Sequence, residues 1–173
     1  MKQQPTRNEV TLSYVADLMV DLEATYFIGG SIRWRTETYT SDVDVFAYVE
    51  HPISCACLAW HGFERQGAGF VYDLPSTRYV RAPAGALALN YALALNYARG
   101  IDLHIFVGSK GWAEFAALRE EHNLVGAWLN ANEPVRNTVK KLKAQGLIAQ
   151  SMGAEMYRWF LKEARTTFPA IRS

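Results

Sequence analysis

Between Phe27 and Phe46 the chain reads Phe-Ile-Gly-Gly-Ser, then nine residues, then Ser-Asp-Val-Asp-Val-Phe. No other stretch constrains the fold and the chemistry as tightly. Gly29-Gly30-Ser31 ends an apolar run and opens a short helix. A turn of this kind lets backbone N–H groups approach phosphate oxygens, because glycine carries no Cβ to obstruct them. Asp42 and Asp44 stand two residues apart. On a strand, the period of two puts both carboxylates on one face. Neighbouring carboxylates repel unless a cation lies between them, and hard oxygen donors suit Mg²⁺.

A Gly-Ser turn followed by an Asp-x-Asp strand resembles the signature of the DNA-polymerase-β-like nucleotidyltransferase superfamily. The likeness is greatest to its small stand-alone members, including antitoxin-type enzymes. Their pattern, Gly-Ser-x9-Ser-Asp-x-Asp, is matched by Ser31, nine residues, and Ser41-Asp42-Val43-Asp44. The family carries a third carboxylate on a later strand, and Asp102 in Ile101–Val107 has that apolar-Asp-apolar setting. Asp73 is the rival, closer to Asp44 in sequence but beside Leu-Pro, as turn residues are. The resemblance covers about residues 25 to 107. In one place the chain departs from it: small members carry Gly four residues after the Ser, and here that position is Arg35.

The resemblance implies an α/β nucleotidyltransferase core, a short mixed β-sheet flanked by helices, over residues 1–108. A C-terminal helical region over 109–173 follows, packed on the core or forming one compact domain with it. It implies transfer of NMP, with AMP the first choice, from an NTP to an acceptor hydroxyl. Two Mg²⁺ ions, or Mn²⁺ in their place, would be held by Asp42, Asp44 and Asp102 as catalytic metal ligands. Such a transfer is mostly positioning and charge neutralisation, which two metals can supply. Gly29, Gly30, Ser31 and Ser41 would bind the nucleotide, and Arg33 and Arg35 would neutralise phosphate charge. The acceptor would be a protein or RNA. The alternative is a catalytically inactive nucleotidyltransferase-fold protein that binds or inhibits a partner. His104 shares the strand face of Asp102 and can touch an acceptor or leaving group, although such a histidine is more often structural.

Composition narrows the setting. Half of the 173 residues are apolar, enough for a real core in one domain. No uninterrupted apolar stretch reaches about 18 residues, so no transmembrane span is expected. The N-terminus lacks the apolar core of a signal peptide, and the expected location is cytoplasmic. Cys55 and Cys57 are read as reduced structural thiols; a zinc site with His51 and His61 is the lesser reading. From Pro134 to Ser173 eight Lys/Arg face two Glu, a net +6, which leaves −5 on the rest of a chain of net +1. A basic tail on an acidic body suits a polyanionic partner or a solvated helical face. Self-association is left open.

In chain order, polar residues 1–7 are expected to fray, and helical spacing begins at Asn8 and runs to Glu23. Tyr26–Ile28 is a strand, Ser31 the N-cap of a helix to Thr36, and Asp42–Val49 a second strand. Residues 52–82 suit a hairpin of two short strands. Leu-Ala-Leu-Asn-Tyr-Ala occurs twice over Leu87–Ala98. It reads as a strand by alternation and as a buried helix by propensity, with helix preferred. Asn90, Tyr91, Asn96 and Tyr97 are lesser candidates for a base pocket. A strand at Ile101–Val107 is followed by a helix over Lys110–Glu121 that His122-Asn123 ends, with a further short one at Leu124–Leu129. Helices from Asn132 to Gln145 and from Gly153 to Thr167 complete the chain.

Overall fold

The computed structural model describes residues 5–71, 74–81, 98–149 and 152–168, with the backbone alone for 67–71 and 74–81. Asp73 and the repeat from Leu87 to Tyr97, with Asn90, Tyr91 and Asn96, lie outside the described residues. The architecture is α/β. Helix α1 (Arg7–Asp21) leads to strand β1 (Thr25–Gly29), helix α2 (Gly30–Trp34) and strand β2 (Val43–Val49). Helix α3 (Cys55–Trp60) precedes the hairpin β3 (Glu64–Val71) and β4 (Leu74–Arg81). Strand β5 (Ile101–Val107) then enters the sheet, followed by α4 (Gly108–Ala131), α5 (Glu133–Ala144) and α6 (Gly153–Thr167).

The strands form one mixed sheet in the order β1-β2-β5-β4-β3. Strands β2 and β5 run parallel, and every other neighbouring pair is antiparallel. A parallel pair needs a long crossover, and here the chain between β2 and β5 contains α3 and the hairpin. The strand alternation sorts two faces. Val43, Val45, Ala47, Ile101, Leu103 and Ile105 pack with Val15, Leu18 and Met19 of α1 and Leu58 of α3. On the other face Phe46 and Phe106 join Phe27, Trp34 and the inner sides of α4 and α6, including Phe115, Leu118, Tyr157 and Phe160. The C-terminal helices therefore share one hydrophobic cluster with the sheet.

Three expectations change at helix ends. Helix α1 begins at Arg7, not Asn8, because Thr6 caps it. Thr6 Oγ1 accepts from Glu9 N–H at 3.2 Å and Glu9 Oε2 accepts from Thr6 N–H at 2.6 Å, a reciprocal capping box. Helix α2 begins at Gly30, so Ser31 lies in its first turn and does not cap it. Helix α4 is continuous over 24 residues, and His122-Asn123 does not end it. Phe115, Leu118, His122, Val125 and Leu129 are all buried at steps of three and four. Treating His122 as polar hid a complete core stripe.

Candidate functional site

On the face of the sheet covered by α4 and α6, strands β2 and β5 begin polar and become aromatic. Asp44 precedes Phe46 and Tyr48 on β2; Asp102 and His104 precede Phe106 on β5. The parallel register pairs Asp44 with Asp102 and Phe46 with His104. Neighbouring strands lie about 4.8 Å apart, so this register alone sets the two carboxylates side by side. His104 Nε2 lies 3.4 Å from Asp102 Oδ1. One donor atom from each of Asp44, Asp102 and His104 falls within 4.8 Å of the others. Asp42, just before β2, is outside this group of three but faces the same cavity.

That cavity has a volume of about 690 Å³. Gly30, Ser31, Ser41, Asp42, Asp44 and Asp102 all line it, together with His104 and Trp34. Its far wall comes from α5, α6 and the turn between them, through Lys143, Ile148, Ala154 and Met156. Two glycines permit the arrangement. A Cβ on Gly30 would lie 1.9 Å from Asp44 Oδ2, and the residue has φ +59°. A Cβ on Gly29 would lie 2.4 Å from Phe46 Cε2 and 2.8 Å from His122 Nε2. The turn presses against the carboxylate and the aromatic cluster at distances that no other residue allows.

The loop from Thr36 to Asp42 is held from below. Arg99, only 7 % exposed, donates from Nη1 to the carbonyls of Thr38 (2.7 Å), Tyr39 (3.3 Å) and Ser41 (2.9 Å). Its Nε donates to Asn8 Oδ1 at 2.6 Å, which ties the loop to α1. Ser41 Oγ accepts from Thr38 N–H at 2.9 Å. The hydroxyl thus shapes the loop that delivers Asp42.

Arg33 and Arg35 are placed elsewhere. Both are exposed and neither lines the cavity. Arg33 donates to Asn123 Oδ1 of α4. Arg35 ends α2 with φ +58°, in the left-handed region that favours glycine.

Among the described residues, the cation that lines the cavity is Lys143. Burial lowers its pKa, while Asp44 and Glu37 act in the opposite direction. Counting the C-terminal basic residues as net charge concealed it. The signal was spacing: Val135, Val139 and Lys143 follow at four-residue steps, and Val139 is 7 % exposed. Trp34 was also missed. It is 5 % exposed, and its indole Nε1 is buried without a hydrogen-bond partner among the described residues. Cys55 and Cys57 are free thiols, the former exposed. No described helix is long and apolar enough to cross a membrane.

No family model, no curated protein and no solved structure matches the chain. The donor set suits a divalent cation, with two carboxylates and an imidazole at one end of a cavity.

Proposed function

We propose that the protein is a metal-dependent nucleotidyltransferase that moves NMP from an NTP to an acceptor hydroxyl. The observation that carries the reading is the register pairing of Asp44 with Asp102 beside the Gly30-Ser31 turn, all in one cavity. In this reading Asp44 and Asp102 hold a divalent ion, Asp42 extends the carboxylate wall, and Ser31 and the backbone at Gly30 meet the phosphates. Lys143 closes on the same charge from α5. Arg33, expected to neutralise phosphate charge, donates to Asn123 and does not line the cavity. A bound metal supplies charge neutralisation on the phosphates and lowers the pKa of an attacking hydroxyl. The residues of the chain supply position: the strand register fixes the carboxylates, and Arg99 fixes the loop that carries Asp42. The acceptor we favour is a protein side chain or an RNA end, and AMP the transferred group.

Transfer of α-phosphate label from each NTP to protein or RNA in an extract tests the proposal, with Mg²⁺ and with Mn²⁺. Label is expected on a macromolecule with the unaltered chain and not with Asp44→Asn or Asp102→Asn. Protease or nuclease treatment then identifies the acceptor. Equal labelling by both aspartate variants refutes the reading. NTP binding without transfer, under any metal and acceptor, moves the assignment to a nucleotide-binding protein without turnover.

A further inference from the structure

Three carboxylates make an all-oxygen metal site, yet the group that converges here is two carboxylates and an imidazole. We propose that Asp44, Asp102 and His104 form a mixed oxygen–nitrogen site that takes a divalent first-row transition ion of the Mn²⁺ class in preference to Mg²⁺. The inference rests on the reading of this cavity as a metal site, though not on nucleotide transfer.

His104 is placed to act as a ligand by the same register that pairs the carboxylates. It follows Asp102 by two residues on β5, so both project from one face. Its Nε2 is 3.4 Å from Asp102 Oδ1, and the three donor atoms lie within 4.8 Å of one another. Ligands around a six-coordinate ion at about 2.1 Å stand roughly 3 Å apart when adjacent and 4.2 Å when opposed. The observed spread therefore closes on one ion with small side-chain adjustments. The ring is also held in place. It is 7 % exposed and stacks on Phe46 with centroids 5.0 Å apart and planes 13° apart. Phe46 is itself fully buried. A flexible surface histidine could turn away from an ion that disliked nitrogen; this one is fixed against the site.

Ion preference follows from ligand chemistry. Mg²⁺ favours an oxygen shell and keeps several waters, whereas a mixed nitrogen–oxygen site binds the divalent first-row ions in an order rising from Mn²⁺ through Fe²⁺ and Co²⁺, imidazole suiting the later ones best and Mn²⁺ marking the weak end of the series. Replacing one carboxylate with a neutral imidazole also removes a negative charge, which costs a hard ion more than a borderline one. Two carboxylates balance the charge of a single divalent ion, and Lys143 on the opposite wall disfavours gathering more cationic charge there.

The test uses the full chain and the metal alone, without nucleotide. Mn²⁺ is titrated by electron paramagnetic resonance, Mg²⁺ competes for it, and pulsed measurements look for ¹⁴N modulation from a coordinated imidazole. The expected result is one Mn²⁺ per chain with ¹⁴N modulation, and at least about tenfold weaker binding of Mg²⁺. His104→Asn should abolish the modulation and weaken Mn²⁺ by at least about tenfold, with less effect on Mg²⁺. His104→Asp is the second variant: it restores an all-oxygen set and should bind Mn²⁺ without modulation while narrowing the gap to Mg²⁺. The double change His51→Ala/His61→Ala should leave the signal intact. Binding of Mn²⁺ without ¹⁴N modulation, a Mn²⁺/Mg²⁺ ratio unchanged by His104→Asn, or no binding of either ion overturns the proposal. Oxygen-only binding together with NMP transfer removes this inference and leaves the function; imidazole-bound Mn²⁺ without transfer does the reverse.

Discussion

His122 makes the fold acid-sensitive, and the size of the effect follows from its surroundings. The ring has no solvent exposure and sits among Phe27, Trp34, Phe46 and Tyr157, with centroids between 5.1 and 5.3 Å away. Its Nδ1 lies 2.9 Å from the Leu118 carbonyl oxygen, which can only accept, so Nδ1 carries the proton of a neutral imidazole. Burial pushes its pKa down from 6.5 to about 3, the Leu118 bond opposes this, and the charges of Arg33 and His104 add to it. A histidine held neutral when folded takes up a proton only when unfolded. Stability is therefore complete above pH 6.5 and falls as pH drops toward 3. At pH 5 the folded ring is still neutral, so the loss depends on the unfolded value alone and comes to about 2 kcal/mol.

The assay is urea unfolding at pH 8, 7, 6 and 5, comparing the unaltered chain with His122→Leu. Leucine keeps an apolar group of similar volume and removes the titration. The absolute stability of the variant matters little; the readout is the difference in pH dependence. Between pH 8 and 5 the unaltered chain should lose about 2 kcal/mol more than the variant, approaching about 1.4 kcal/mol per pH unit at the acid end. Parallel curves would show that the ring is protonated in the native state and that the burial argument is wrong.

Other changes test the turn, the loop clamp and the left-handed residue. Gly30→Ala places a Cβ on Asp44 Oδ2 at positive φ, whereas Gly146→Ala, at φ +71°, meets nothing within 4 Å. By denaturant unfolding the first should cost roughly 2–3 kcal/mol and the second about 1; equal costs would show that the Asp44 contact contributes nothing. Arg99→Ala removes one donor from each of the Thr38, Tyr39 and Ser41 carbonyls, of which Tyr39 keeps Arg7 Nη1 at 2.6 Å and Thr38 keeps the Ser41 N–H at 3.2 Å. A loss of roughly 2–3 kcal/mol and faster protease cleavage between 36 and 42 are expected, and an unchanged cleavage rate would argue against the clamp. Arg35→Gly relieves the φ of +58° and should raise thermal stability by about 0.5 kcal/mol after the added unfolded-state entropy; a clear loss would contradict that.

Much of the architecture was legible because strand and helix periods were intact. Val43, Val45 and Ala47 alternate with Asp44, Phe46 and Tyr48, and the structure puts these sets on opposite faces. Pro134 and Gly146 bracket α5 as their backbone preferences require. The reading failed where a residue's class hid its environment. His122 counted as a helix breaker while it fills a core position, and Lys143 counted as tail charge while its helix turns it inward. The Thr6-x-x-Glu9 capping box was present in the letters and was passed over in favour of a frayed end.

The sequence by itself determined which residues share a face within a strand, as Asp102 does with His104, through the two-residue period; Asp42, expected on the strand with Asp44, precedes β2, and the loop brings it to the cavity. It also marked the Gly29-Gly30 turn as one that can expose backbone N–H groups, while the contact that bars a side chain at Gly30, Asp44 Oδ2, is a tertiary one. It could not determine which strands lie beside each other, because pairing joins residues 58 apart in the chain, Asp44 and Asp102, and local spacing carries no information about it. The tertiary structure decided that register, and with it the partner of each carboxylate. It also decided which of the cations reaches them. Arg33, close in sequence to Asp42 and Asp44, is drawn off to Asn123 on α4, while Lys143, about a hundred residues further along, is brought across by the packing of α5 against the core. Side-chain direction is local, but proximity is set by how the hydrophobic faces of distant elements bury one another.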